Sequence, residues 1–577
     1  MRADVSSTTP ATDRGAARKR LAPPLSAAAL WVLPASAVVL LYGRAMGLWW
    51  TWDELIYLRV VARHAPWEYL FVPAVYRELT PAFFFPGVLL SFEADFSLGG
   101  TAPWLYFAHQ LAALVLAVGL LTHLLRRWVP TAAAVTASLL FLAGPPLSTV
   151  VAELMTRHYL EGLAVSLGAT LLFVRSVDRR SPRLAVAAAL AGFVASSCKE
   201  VFVPLPLVLA VLPVGRLRDR LRALVPFVPA VAAYAAWRQV MLAGYVGAYA
   251  DDATRIEASA RRAALLGHQF LSTALGGPGG AVLALAGAVG ALALLPVLLR
   301  PGSRLLAAGL VVAVGAPMIP VAERLDPRFG FLSWLLVALL VGTSSASWWE
   351  RGRAGRAVAA FLVAGAFAVA LPANRGSWKA LERRAWRVRT EGEFVLSGNG
   401  GEALLRPFAD REFFRNLAWM RRDLLGRSDP APKVVWDEVY FCENPSPALR
   451  VHEYSEARRG VVRLEGTGAD ACARLRSRSR DEPSMSFRLE YGEGALRWEL
   501  EPAGPGRWSL VEGADAFVFP VPAKGGIGFV IPRRLVVRAR LERPDGTVAY
   551  SPPLGLEIHD GVGSVSWDGA GRDRTFP

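Results

Sequence analysis

The sequence predicts an all-α polytopic membrane protein of about eleven transmembrane helices with a C-terminal β-rich domain. Three observations lead there. Apolar residues make up 53% of the 577-residue chain and fall into blocks between Leu21 and about Pro372, each near the roughly 20 residues that a bilayer crossing needs. Arginine recurs in every second connection between blocks. Beyond Pro372 the hydropathy collapses, and short patterns of period two take over. A mean hydropathy of +0.33 for the whole chain is high for a soluble domain.

The tail, residues 1–23, holds Arg14, Arg18, Lys19 and Arg20 ahead of the first apolar run. That run reaches Leu48, too long for the core of a signal peptide, and more spans follow, so it reads as an uncleaved first helix. The transmembrane region, 24–372, continues with spans near 103–125, 130–151, 158–175, 184–198, 201–215, 222–243, 280–299, 305–321, 330–347 and 356–372. Residues 263–276 read as an interfacial helix or as part of a longer eighth span.

Basic residues set the orientation. Arg126 and Arg127, the Arg175–Arg183 group, the Arg216–Arg222 group, Arg300 and Arg304, and the Arg351–Arg356 group fall on one side, where they are about threefold denser than on the other. The opposite connections carry most of the acids. The N-terminus is therefore cytoplasmic and the C-terminal domain periplasmic or extracellular. The excess of arginine over lysine points to a GC-rich bacterial genome, hence an inner (plasma) membrane. Topology accounts for much of the net charge of +16, so nucleic acid is not an expected partner.

The first outer loop, 49–102, is long and interleaves aromatics with charges, as helices lying in the headgroup layer do. A plain aromatic belt is the alternative. Residues 373–396 read as a juxtamembrane amphipathic helix, and 397–577 as a β-rich domain outside the cytosol. There Phe487, Leu489 and Tyr491 alternate with charged residues, as do Leu496, Trp498 and Leu500, and Arg543-Pro544-Asp545-Gly546 is a hairpin turn signal. Cys442 and Cys472 lie in this domain, either bridged or as two unpaired small residues.

Ionisable residues near membrane depth are functional candidates. Here they gather at the outer ends of the spans: Asp53 and Glu54, Glu153, Arg157 and His158, Lys199 and Glu200, Arg238, Glu323, Arg324, Asp326 and Arg328. Carboxylates mixed with arginine and lysine suit an anionic headgroup and a reacting hydroxyl or amine.

Trp52-Asp53-Glu54 after the first span, Cys198-Lys199-Glu200 at a helix end, and Glu323-Arg324-Leu325-Asp326-Pro327-Arg328-Phe329 before a late span together resemble the GT-C superfamily of polytopic glycosyltransferases. The likeness is to the branch that includes protein O-mannosyltransferases, and it covers roughly residues 25–390. It implies a sugar donor linked to a polyprenyl phosphate and a protein, lipid or glycan acceptor on the outer face. It implies Asp53 as general base, with Glu54 its competitor, and a donor phosphate held by Arg324, Arg328, Lys199 and Arg238. Glu200, Glu323 and His158 would support that site. Helix capping by Asp53 and snorkelling of the arginines to lipid headgroups are the plainer alternatives. Some family members hold a divalent cation on an Asp-x-Asp pattern; Asp53-Glu54 departs from it, so no metal ligands are assigned. A transporter or flippase of a lipid-linked or anionic substrate is one rival reading, although no internal repeat supports it. A non-catalytic scaffold presenting an exported domain is another.

Overall fold

A computed structural model describes residues 29–80, 83–243, 280–299, 301–315, 327–436, 441–442, 448–478 and, between 485 and 568, all but 493–494, 502–504, 513–516, 529–533, 558 and 560–561. Glu323, Arg324, Asp326 and the helix expected at 263–276 lie outside these residues.

Among the described residues the regular structure of the membrane region is helical. Among the described residues, Pro103–Leu125, Leu154–Arg179, Arg328–Trp349 and Gly352–Ser397 are long and apolar enough to cross a bilayer. A fifth crossing is Thr131–Leu142 joined to Pro145–Ala152 with a 60° bend. Shorter apolar helices such as Pro182–Cys198, Glu200–Val211 and Ala284–Leu299 stand at other expected span positions without reaching that length. The sequence expectation of about eleven spans therefore exceeds what helix length alone supports. Proline supplies many of the helix starts: Pro66, Pro73, Pro86, Pro103, Pro145 and Pro182 sit in first turns, where their missing N–H breaks no helical bond.

The bend has a visible cause and a visible remedy. Gly144 lies against the Trp334 indole so closely that a Cβ there would approach Nε1 to 1.9 Å. Carbonyls freed at the break find donors on other helices: Trp334 Nε1 to Leu140 at 3.0 Å, Tyr42 Oη to Leu142 at 2.6 Å, and Asn374 Nδ2 to Gly144 at 2.8 Å. Unpaired, each would cost several kcal/mol in a bilayer. Past the bend, Gln110 Nε2 donates to the carbonyls of Val150 (2.6 Å) and Val151 (3.1 Å). The bent segment is thus pinned where it ends, at Glu153.

The first outer loop folds into α2 (Glu54–Arg63), α3 (Pro66–Phe71), α4 (Pro73–Leu79) and α5 (Pro86–Gly99), following α1 (Ala29–Tyr42). Trp50, Tyr69, Tyr76 and Phe84 are fully buried, while Trp67 and Phe71 are exposed. Most of these rings are core rather than a lipid-facing belt, because the loop packs down onto the spans. The last apolar helix does not stop at Pro372: it runs on from Gly352 to Ser397 through the expected juxtamembrane segment as one helix.

The C-terminal region holds two kinds of structure. β1 (Glu402–Leu405) pairs in parallel with β2 (Lys433–Val435) and β3 (Arg450–Ser455), and β4 (Gly460–Arg463) adds antiparallel to β3. The helix Arg411–Trp419 forms part of the β1–β2 crossover, and Cys442 is disulfide-bonded to Cys472. This first module is mixed α/β within the region that the sequence marks as β-rich. Its parallel strands are too short to show a periodic signal. From Ser486 to Asp568 the chain forms two antiparallel sheets. One orders β13 (Gly563–Asp568), β5 (Ser486–Gly492), β6 (Ala495–Glu501) and β9 (Lys524–Gly528). The other orders β11 (Val548–Tyr550), β10 (Arg534–Glu542), β7 (Arg507–Glu512) and β8 (Phe517–Val521), with β12 (Leu554–Glu557) beside β10. Phe487, Leu489, Leu496 and Leu500 are buried, as their alternation predicts. The turn at Arg543–Gly546 closes the expected hairpin, with Gly546 at φ 79° and its N–H donating to the Arg543 carbonyl at 2.9 Å.

Candidate functional site

Asp53 occupies the position before the first turn of α2, yet its side chain makes no capping bond. Among the described residues its carboxylate is recorded in no hydrogen bond, which removes the capping alternative. The residue before it, Trp52, has φ +46°, a left-handed conformation that is strained for a bulky side chain and is held only where surroundings impose it. Here the surroundings are Arg384, whose guanidinium lies 3.9 Å from the Trp52 ring centroid, and Phe408, whose ring lies 6.3 Å away.

Glu54 is the opposite case. It is fully buried, and both its oxygens are engaged. One accepts from Leu154 N at 2.6 Å and from Thr51 Oγ1 at 3.1 Å, and the other accepts from Thr51 N. Burial pushes its carboxyl up to about 8 against the downward pull of the Thr51 and Leu154 bonds. Glu54 ties the first loop to the end of the bent span.

Glu153, at that end, accepts from Arg328 Nη1 at 3.4 Å and lies 4.0 Å from Arg384 Nη2. Lys199 stands at the C-terminal end of the helix Pro182–Cys198, where a cation is favoured by the helix dipole. Its ammonium sits over Phe83 at 4.9 Å and Phe85 at 5.1 Å, and His158 stacks on the same Phe85 at 5.6 Å. Burial lowers the Lys199 ammonium to about 8, with Glu200 opposing and Arg328 adding to the fall. Asp53 is exposed at the surface; the crowding of protein around it and then Asp410 raise its carboxyl above the ordinary range, with Arg328 opposing and Glu412 adding to the rise.

Of the residues singled out in the sequence, Asp53, Glu54, His158, Lys199 and Arg328 therefore come together. Arg238 does not join them: it is buried and pairs with Glu200 at 2.7 Å, while Glu200 also accepts from Phe84 N at 2.9 Å. This pair fastens the first loop to the helix Phe227–Leu242. Glu153 stood among the charged candidates at the span ends without a role, while Arg384 and Asp410 escaped the sequence reading. Arg384 belongs to a stretch that reads as an amphipathic surface, and Asp410 lies in a region outside the family resemblance, with no local motif to mark it.

A second charged group lies nearby. Arg157, fully buried, donates to Asp95 at 2.5 Å, Ser91 Oγ at 3.0 Å and the Tyr106 carbonyl at 2.7 Å. Asp95 also contacts His109 Nδ1 at 2.8 Å, and Ser91 donates to Glu161. Among the described residues no three His, Cys, Asp or Glu side chains are arranged to hold a metal ion.

No family model matches the chain, and no curated protein matches it. Among solved structures it is similar to the crystal structure of ArnT from Cupriavidus metallidurans in the apo state, with 13% sequence identity and a TM-score of 0.41, over 75% of this chain and 94% of that one.

Proposed function

We propose that this protein is a GT-C-type membrane glycosyltransferase that moves a sugar from a polyprenyl-phosphate-linked donor to an acceptor at the outer face of a bacterial inner membrane. The observation that carries the reading is the contrast within one dipeptide: Glu54 is buried and saturated by internal bonds, while the Asp53 side chain is exposed and makes no capping bond. A general base must keep a lone pair available for the acceptor proton, and Asp53 does.

In this reading Asp53 takes the proton from an acceptor hydroxyl or amine as its oxygen or nitrogen attacks the anomeric carbon. The sugar–phosphate C–O bond breaks, and the polyprenyl phosphate leaves with the bonding pair. Attack opposite the leaving group inverts the anomeric centre. Arg328 and Lys199 hold the phosphate and stabilise its developing charge, Arg328 through its planar fork and Lys199 as a point charge. A raised proton affinity makes Asp53 a stronger base than a solvated aspartate. Glu153 holds Arg328 in place until the phosphate enters.

Donor binding tests the reading. Purified protein in nanodiscs is mixed with undecaprenyl-phosphate-linked glucose or mannose as probes. Wild type is expected to bind one of them, and Arg328→Ala with Lys199→Ala to weaken binding by about 10–100-fold, the loss of one or two charge-assisted contacts. Equal binding by wild type and the double variant would remove the phosphate assignment.

A further inference from the structure

One cation of the site comes from neither the first loop nor the turn before the late span. Arg384 stands on the helix Gly352–Ser397, well past Pro372, and its guanidinium lies 3.9 Å from the centroid of the Trp52 ring, next to Asp53 in the chain. Its Nη2 is 4.0 Å from one oxygen of Glu153, and Arg328 Nη1 is 3.4 Å from the other. Two guanidiniums from distant parts of the chain are thus drawn to the two oxygens of a single buried carboxylate.

Arg384 is held differently from its neighbour one turn on. Arg387 donates to Glu391 at 2.8 Å and to the Arg406 carbonyl at 3.0 Å, which fastens the helix to the α/β module. Arg384 instead lies against two rings, Trp52 and, at 5.8 Å, Phe408. Phe408 is itself fixed, because its N–H donates to the buried Glu391 at 2.8 Å. The module that carries Phe408 is tied to α2 where Arg59 Nη1 donates to Oδ1 of the buried Asn416 at 2.6 Å. A ring takes up the flat face of a guanidinium and none of its N–H donors, which lie at the edge. The Arg384 side chain is 30% accessible, so a ligand can reach those donors.

We propose that Arg384 is a further phosphate-binding residue of the reaction site, forming with Arg328 a two-arginine clamp on the donor phosphate. This rests on the reading of Arg328 as a phosphate ligand. A phosphate presents pairs of oxygens spaced much as those of a carboxylate are, so the two guanidiniums that Glu153 draws together can each take one. When the bond from the sugar to the phosphate breaks, the bonding pair goes to the phosphate, and its new charge then lies beside two cations already in place. Because Asp53 follows Trp52, the residue that holds the leaving group also rests on the turn that sets the base.

Undecaprenyl phosphate and undecaprenol share a tail and differ in the phosphate alone. The ratio of their affinities for the full chain in nanodiscs therefore isolates the phosphate contact. Arg384→Gln is expected to lower that ratio by about tenfold or more, the loss of a charge-assisted bond, and Arg384→Lys, which keeps the charge, to lower it less. A residue that only supports the fold would change both affinities alike, and an unchanged ratio in Arg384→Gln overturns the proposal. A second measurement needs no variant. Phenylglyoxal modifies accessible arginines, and in wild type undecaprenyl phosphate is expected to slow modification of Arg384, read by mass spectrometry, while undecaprenol does not. Equal rates with the two lipids overturn the proposal even where Arg384→Gln does not fold. The two readings fail separately. A ratio that falls in Arg328→Ala but holds in Arg384→Gln removes Arg384 alone, whereas a ratio that holds in both removes the phosphate site itself.

Discussion

Two charged clusters, one around Arg157 and one around Asp53, are built on different terms. Around Arg157 the charges answer one another: Asp95 uses one oxygen for Arg157 and the other for His109, and Arg157 bonds through both terminal nitrogens. Around Asp53, Arg328 pairs with Glu153 at 3.4 Å, while the Asp53 carboxylate itself is exposed and, among the described residues, in no hydrogen bond. A buried ion pair held by several hydrogen bonds is a structural fastening. An accessible carboxylate near a cation, with no hydrogen bond of its own, is open to a reactant. The difference between the clusters identifies the reactive one better than the number of charges in either.

Breaking the Arg157 cluster gives the largest expected effect on stability. Arg157→Ala leaves the buried Asp95 with His109 alone opposite it and is expected to lower stability by about 3–5 kcal/mol, seen as loss of folded protein in a detergent thermal melt. A melt within a few degrees of wild type would mean that this network is not the fastening described.

Within the Asp53-Glu54 pair, the second residue should behave like the Arg157 cluster. Glu54→Gln keeps the size but turns an amide N–H2 toward a backbone donor, at an expected cost of about 1–3 kcal/mol. The sign of its pH dependence follows from a folded value near 8 against an ordinary 4.5. A carboxyl so raised favours folding less as pH climbs from 4.5 toward 8, so the gap between wild type and Glu54→Gln should narrow over that window. A gap that widens would contradict the burial argument.

The smallest effect is one of shape. Asp53 must be deprotonated and Lys199 protonated, so transfer should follow a bell. Its acid limb should lie above the ordinary aspartate value of 3.8 and its alkaline limb near 8. Lys199→Arg, which keeps its charge, should move the alkaline limb upward; a limb left near 8 would assign it to another group.

Much of this architecture could be read from the chain. The span expected at 103–125 matches the helix Pro103–Leu125, and the alternation in Phe487–Tyr491 and Leu496–Leu500 falls on paired strands. Side chains facing lipid or a sheet interior leave a periodic record. The site was legible only in part. Asp53, Lys199 and Arg328 stand out as charges at membrane edges, but nothing in Asp53-Glu54 tells which carboxylate is tied down. The turn at Trp52 and a backbone N–H from Leu154, about a hundred residues away, decide that. Asp410 lay beyond reach because its relevance comes from docking between distant segments, through single contacts such as Arg59 with Asn416 that have no local pattern.

The most direct test of the account compares Asp53→Asn with wild type in three readouts: thermal stability, binding of undecaprenyl-phosphate-linked sugar, and envelope glycan products. The account predicts stability within about 0.5 kcal/mol of wild type, because an exposed side chain without a hydrogen bond is changed. It predicts donor binding within about threefold, and product formation reduced by about 100-fold or more, the contribution of a general base. Undiminished products from a folded, donor-binding Asp53→Asn protein would contradict it.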